Sequence, residues 1–421
     1  MLRTLSFNRK SSTRYSSLLK GNEAYEAYDQ RKIPELQLVR AMAILAVLMV
    51  HATSYATVQL TNSSLYVVYN ALNVLMKYGT PVFIALSSMV LFYNYKDRPL
   101  GRQLLRRFYK LRLLYILLPY VMFSLFYFIL SLMAGSTEPW SITTLSENFA
   151  LKLVTGKAYT HLYYIFIMMQ FYLAFPCILW LFQRYRQFPQ WSIVIGLLLQ
   201  WSFIISNKFL FQVQNKGSWA LSYVACYMLG AALGYYYPQL RTWFLMRKEE
   251  RSFTSVLTWI AIWALWLISA TIHVYMWYEN RLYGTSYNSL VFELMYNMYS
   301  LSSPLVLLQI SFLMYRRQHS FVIRKLERLG TLSFGVYLIH PFFLLLYRQF
   351  SPHIGSPQLI HVWYAGGFLC ALLCSWLVVS VIARFLPCAW ILFGQLPGTG
   401  KRNFKQEERM SSPETLLFKG R

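Results

Sequence analysis

Long apolar runs alternate along the chain with short polar segments that are mostly basic. Runs of about 20 apolar residues span 36–57, 72–94, 113–134, 162–182, 191–209, 217–237, 254–275, 290–314, 331–350 and 361–386. That is the length a helix needs to cross a bilayer. The pattern predicts an all-α polytopic integral membrane protein with about ten transmembrane helices. Most Lys and Arg residues fall in alternate segments between the runs, starting with the N-terminal one. The positive-inside rule then puts both termini in the cytoplasm. Residues 1–33 read as a basic, disordered cytoplasmic tail, 34–394 as the membrane domain and 395–421 as a second cytoplasmic tail. The first tail lacks the small-residue cleavage site of a secretory signal, so the first run is expected to remain as an anchor.

The first run, PELQLVRAMAILAVLMVHAT, carries Arg40 near one end and His51 deep inside. A separation of eleven residues is three helical turns plus roughly 20°, so the two side chains leave the same face, about 16 Å apart along the axis. Ionisable groups inside a membrane are costly, and two on one stripe point to a lined path rather than a lipid-facing surface.

Other runs add candidates. In KYGTPVFIALSSMVLFYNY, Gly79 and Pro81 predict a break near the outer end. Lys77 lies just before it, where it either snorkels to headgroups or faces the interior. Ser87 and Ser88 have the character of small packing residues. The most basic segment (Lys96, Arg98, Arg102, Arg106, Arg107, Lys110, Arg112) leads into the third run. Its last members, Arg106, Lys110 and Arg112, can form an anion-binding rim. His161 precedes two tyrosines at the mouth of the fourth run, an ordinary place for a belt residue. His273 and Glu293 sit near outer ends, where either can line a polar cavity. His340 is followed by Pro341 near mid-membrane, where the proline frees a carbonyl one turn back. A second intramembrane imidazole there is a functional candidate.

Composition agrees with the runs. The chain is 57% hydrophobic and 13% charged, unlike a soluble protein of this length. The net charge of +25 is dispersed between runs and not gathered on a groove, so no nucleic-acid partner is expected. The five cysteines lie in or at the ends of apolar runs, which gives no disulfide framework, and no metal site is expected. No nucleotide-binding loop, zinc-protease motif or nucleophile elbow occurs.

Five motifs occur in one order: Arg40-x10-His51, PVFIALSS, KLRLLYILLPY, HLYYIFIMMQFYLAFP and LSFGVYLIHP. In this the chain resembles the membrane acyltransferase-3 family from about Pro34 to Leu386. It is similar to the Gram-positive branch that includes the intercellular-adhesin (biofilm polysaccharide) membrane protein. Two positions depart. Gln37 stands where members often have an acidic residue, and Lys110-Leu111-Arg112 stands where many have Arg-x-Arg.

The resemblance implies transfer of an acyl group, usually acetyl, from cytosolic acyl-CoA to a hydroxyl of a cell-envelope carbohydrate, at a bacterial cytoplasmic membrane. Arg40, Lys110 and Arg112 would bind the donor. His51 would act as general base or carry the acyl group itself. Ser87, His161 and His340 would orient acceptor or imidazole. The expected partners are acyl-CoA as co-substrate, an envelope glycan and the lipid bilayer, with no permanently bound cofactor. The alternative is an exporter or flippase of a polysaccharide or lipid-linked glycan, with His51 and His340 lining a pore.

Overall fold

The computed structural model describes residues 33–135, 141–246, 252–317, 320–350 and 357–396. The tails read from the sequence therefore lie almost wholly outside the described residues. In chain order the main helices are α1 (Leu36–Thr53), α2 (Tyr66–Leu75), α3 (Gly79–Tyr95), α4 (Arg102–Arg112), α5 (Leu118–Gly135), α6 (Ile142–Thr155), α7 (Tyr163–Arg184), α8 (Phe188–Ser206), α9 (Val224–Tyr235), α10 (Tyr237–Leu245), α11 (Phe253–Tyr283), α12 (Ser289–Tyr315), α13 (Phe321–Gln349) and α14 (Pro357–Phe385). No strand occurs among the described residues. The protein is an all-α, multi-pass cell-membrane protein.

Local chemistry explains where the helices break and begin. The run from Tyr66 to Tyr95 is interrupted by a single 3-10 turn, Met76–Tyr78, directly before Gly79 and Pro81. The third run carries a π-turn, Leu113–Leu117, just ahead of Pro119, which absorbs the bond the proline cannot make. Ser141 and Ser252 cap α6 and α11 with their side chains, satisfying amides that have no partner within the helix.

Among the described residues, nine helical segments are long and apolar enough to cross a membrane. The segment expected over 217–237 is shorter: a helical stretch from Ala220 to Tyr235, about 24 Å long against a hydrocarbon core of about 30 Å. Every residue from Val224 to Gly234 is buried. The helix is walled off from lipid, so it need not match the thickness of the hydrocarbon core.

Close backbone approach fixes this buried helix against α3. A Cβ placed on Gly230 or Gly234 would collide with the carbonyls of Ala85 or Met89, the small-xxx-small mode of membrane helix packing. Gly234→Val is expected to lower the thermal midpoint in detergent, at a cost of about 1–3 kcal/mol or more. Gly135→Ala, with open space around it, should leave the midpoint unchanged. Equal midpoints for the two variants would disprove the account.

Helix α1 occupies the centre. It packs against α13, α3, α14, α2 and α12, and its Leu38, Val39, Ala41, Ala43, Ile44, Ala46 and Leu48 are buried. On the α13 side, a Cβ on Gly330 would meet the Gln37 carbonyl. Nothing on α1 faces lipid across a broad front, so its two ionisable side chains are presented to protein.

Candidate active site

Arg40 projects from the inner half of α1 among protein atoms, and its electrostatic neighbours are the hydroxyls of Tyr164 and Tyr172 on α7. Arg112, at the end of α4, holds its guanidinium 5.0 Å from the ring centre of Tyr172 and 5.1 Å from that of Phe108. Tyr172 thus joins Arg40 and Arg112, two residues far apart in sequence. Lys110 is exposed on α4; two residues before Arg112, it projects roughly 200° away around the helix. Ser87 lies against the Tyr164 hydroxyl. Glu35, the nearest carboxylate to the position where the family often has one, is buried at the start of α1, and burial lifts its carboxyl above the ordinary range.

Further along α1, three imidazoles gather. The His51 ring centre is 5.2 Å from that of His340, and His340 is 5.5 Å from His161. His161 is fully buried, so the structure overturns the belt position suggested by its neighbours. The chain folds inward there because the Tyr337 hydroxyl donates to the His161 carbonyl and Tyr127 and Tyr159 enclose the ring. Tyr164 packs 5.5 Å from Tyr337, which packs 6.0 Å from His340. A continuous train of aromatic side chains therefore connects the arginines to the histidines.

Pro341 decides the state of His340. Lacking an amide hydrogen, it leaves the Tyr337 carbonyl without its helical donor, and His340 Nδ1–H supplies one at 2.8 Å. A carbonyl only accepts, so Nδ1 carries the proton and Nε2 keeps a lone pair. That Nε2 is buried with no partner among the described residues. The neighbouring Leu338 carbonyl accepts from Tyr127 at 2.9 Å.

The end of α1 is clamped by side chains. The last carbonyls of a helix lack intrahelical donors. Here Arg348 donates to the His51 carbonyl at 2.7 Å, with its guanidinium 3.8 Å from the Tyr55 ring centre. Asn73 donates to the Val50 carbonyl at 3.1 Å and to Thr53 at 3.2 Å, and Arg281 holds Asn73 at 2.9 Å. These bonds fix the backbone that carries His51 and leave its ring free for chemistry.

The ring opens onto a cavity of about 470 Å³, within the range of pockets that hold small ligands. Val47, Val50, Lys77, Thr80, Tyr163, Tyr223, His273, Trp277, Asn280, Phe292, Glu293 and Tyr296 contribute to its wall. It lies beyond His51 from Arg40, at the outer ends of the helices. Lys77 does not snorkel: its Nζ sits 4.2 Å over the Trp277 ring. Glu293 pairs with Lys216 at 2.5 Å. Between the cavity and Arg40, Ile44, Leu48, Val82 and Leu86 fill the interior. Among the described residues, no group of three or more His, Cys, Asp or Glu is arranged to hold a metal ion. Tyr164, Tyr172, Tyr337 and Arg348 carried no sequence signal, because an aromatic or a terminal arginine in an apolar run looks like an interface residue.

Fold and site define a helical membrane protein with a cation–imidazole axis along α1 and a cavity of mixed lining above it. Residues 33–380 match the profile of the acyltransferase 3 family, described as an acyltransferase domain, and the chain belongs to that family. Its relatives include the probable poly-beta-1,6-N-acetyl-D-glucosamine export protein of Staphylococcus aureus strain MRSA252. The two are 24% identical over 328 residues, or 74% of this chain and 82% of the relative. The protein of the same name from strain MSSA476 is 23% identical over the same shares. No solved structure matches. Family membership supports acyltransferase activity at a membrane, and these names associate relatives with a polysaccharide.

Proposed function

We propose that the protein transfers an acyl group, acetyl in the simplest case, from cytosolic acyl-CoA to a hydroxyl of a cell-envelope glycan. The observation that carries this reading is the arrangement along α1: a cation cluster toward the inner face and an imidazole opening onto a cavity at the outer end. Arg40 and Arg112 would hold donor phosphates, for which guanidinium is well suited. Lys110, on the exposed rim, would meet the nucleotide end. The pantetheine arm would follow the aromatic train from Tyr172 past Tyr164 and Ser87 toward His51. An acceptor hydroxyl entering the outer cavity would meet the His51 ring. In direct transfer, His51 takes the hydroxyl proton as the oxygen attacks the thioester carbonyl, and CoA leaves as the thiol. In the two-step form, the imidazole nitrogen attacks first, releases CoA, and passes the acyl group to the hydroxyl. His340, with its acceptor Nε2, and His161 would orient the His51 ring.

The names of the relatives favour a second reading, export of the glycan itself. The match of residues 33–380 to an acyltransferase domain supports transfer over export. Acetyl-CoA added to the purified protein at a hundred times its dissociation constant is expected to stabilise the fold by about 2.7 kcal/mol, read as a raised unfolding midpoint. Labelled acetyl should then appear on an added oligosaccharide. No shift and no labelled sugar, with the same sugar transported in proteoliposomes, would replace transfer by export.

A further inference from the structure

The outer cavity has a charge its own residues do not balance. Lys77 Nζ lies over Trp277 at 4.2 Å, and the Arg281 guanidinium is 4.8 Å from the same ring. The charged neighbour of Lys77 is Arg281, a second cation. Arg281 is engaged with the amide oxygens of Asn70 and Asn73 at 3.0 and 2.9 Å, which are neutral. The carboxylate on the cavity wall, Glu293, is taken by Lys216. Among the described residues Lys77 has no ion-pair partner. His273, 4% exposed and also on the wall, accepts from the Trp277 indole N–H through Nε2 at 3.2 Å. This leaves its Nδ1 as the protonated nitrogen, buried with no partner among the described residues.

A cation held by a ring face instead of a carboxylate keeps its charge available to a ligand. We infer that this part of the cavity is a subsite for an acidic group, a carboxylate or phosphate, on the glycan that His51 faces. Lys77 supplies the counter-charge, and the hydroxyls of Thr80, Tyr163, Tyr223 and Tyr296 are placed for sugar hydroxyls. Trp277 is not a stacking platform for the sugar. Two cations, Phe292 at 5.6 Å and the bond to His273 already occupy it, and its task is to hold Lys77 in place.

The inference rests on reading the cavity as the acceptor side, and it is tested without any acyl donor. The full-length protein in neutral-lipid nanodiscs is titrated with two fluorescently labelled tetrasaccharides. One is from hyaluronan, with alternate glucuronate residues, and the other is neutral chitotetraose. Wild type should bind the acidic sugar about tenfold more tightly, in keeping with hydrogen bonds to a charged group. Lys77→Gln should lose that preference while binding chitotetraose as wild type does, and Lys77→Arg should keep it. Equal binding of the two sugars by wild type, or a preference that survives Lys77→Gln, overturns the subsite. Loss of both sugars in Lys77→Gln also counts against it, since Lys77 would then only shape the cavity. Displacement of the acidic sugar by phosphatidylglycerol nanodiscs would assign the charge to a lipid headgroup and overturn it as well. If the preference holds but no acyl transfer is ever found, the subsite stands and the transferase reading falls; the reverse pattern separates them the other way.

Discussion

His51→Ala is expected to slow acetyl transfer by about 10²- to 10⁴-fold, the usual worth of a positioned general base. The structural bonds at this position run through the backbone: the His51 carbonyl accepts from Arg348 and from Ser54, and alanine keeps that carbonyl. The variant should therefore keep the wild-type unfolding midpoint and the stabilisation by acetyl-CoA, while losing turnover. The same side chain distinguishes the two chemical routes. If the acyl group passes through the imidazole, wild type incubated with acetyl-CoA and no acceptor gains one acetyl mass, and His51→Gln gains none. If transfer is direct, neither gains mass. Turnover at the wild-type rate in His51→Ala would remove His51 from the chemistry.

Arg40 gives the second large effect, with an unusual sign in stability. It is set among protein atoms beside two tyrosine hydroxyls, and no carboxylate is paired with it among the described residues. Arg40 is half-buried, and a charge partly withdrawn from water with no opposite charge beside it costs stability. Arg40→Met should therefore raise the unfolding midpoint of the donor-free protein. It should also raise KM for acetyl-CoA by roughly ten- to a hundredfold, the cost of losing charge-assisted bonds of about 1.5–3 kcal/mol, with kcat little changed. A lower midpoint would show that Arg40 serves the fold, and an unchanged KM would show that it does not touch the donor. Natural sequences retain residues of this kind for function at the expense of stability.

Periodicity alone was enough to read the frame and the central stripe. An eleven-residue spacing puts Arg40 and His51 on one helix face whatever surrounds them, and the break before Gly79 and the kink chemistry at Pro341 follow from residue type. His161 was not legible in this way. Its neighbours Tyr163 and Tyr164 look like an interface belt, and only the hydrogen bond from Tyr337, distant in sequence, draws its backbone inside. Lys110 and Arg112 look alike in a basic segment, yet one is exposed and the other shares Tyr172 with Arg40. The Ala220–Tyr235 helix looked like an ordinary span because its length limit is set by burial among neighbours, a property no local window contains. Lys77 had two readings open, and Trp277, two hundred residues along, decided between them.

The clamp on the His51 carbonyl also sets an order of events during biosynthesis. His51 is made early, but the guanidinium that secures it is 297 residues later in the chain, and membrane proteins, like others, emerge from the ribosome N-terminus first. Until the Phe321–Gln349 segment has entered the bilayer, the His51 carbonyl lacks its Arg348 donor and the imidazole lacks His340 beside it. On the proposed mechanism, a polypeptide terminating before His340 would lack both that imidazole and the Arg348 clamp, and it is expected to show no acyl transfer even if its earlier helices insert.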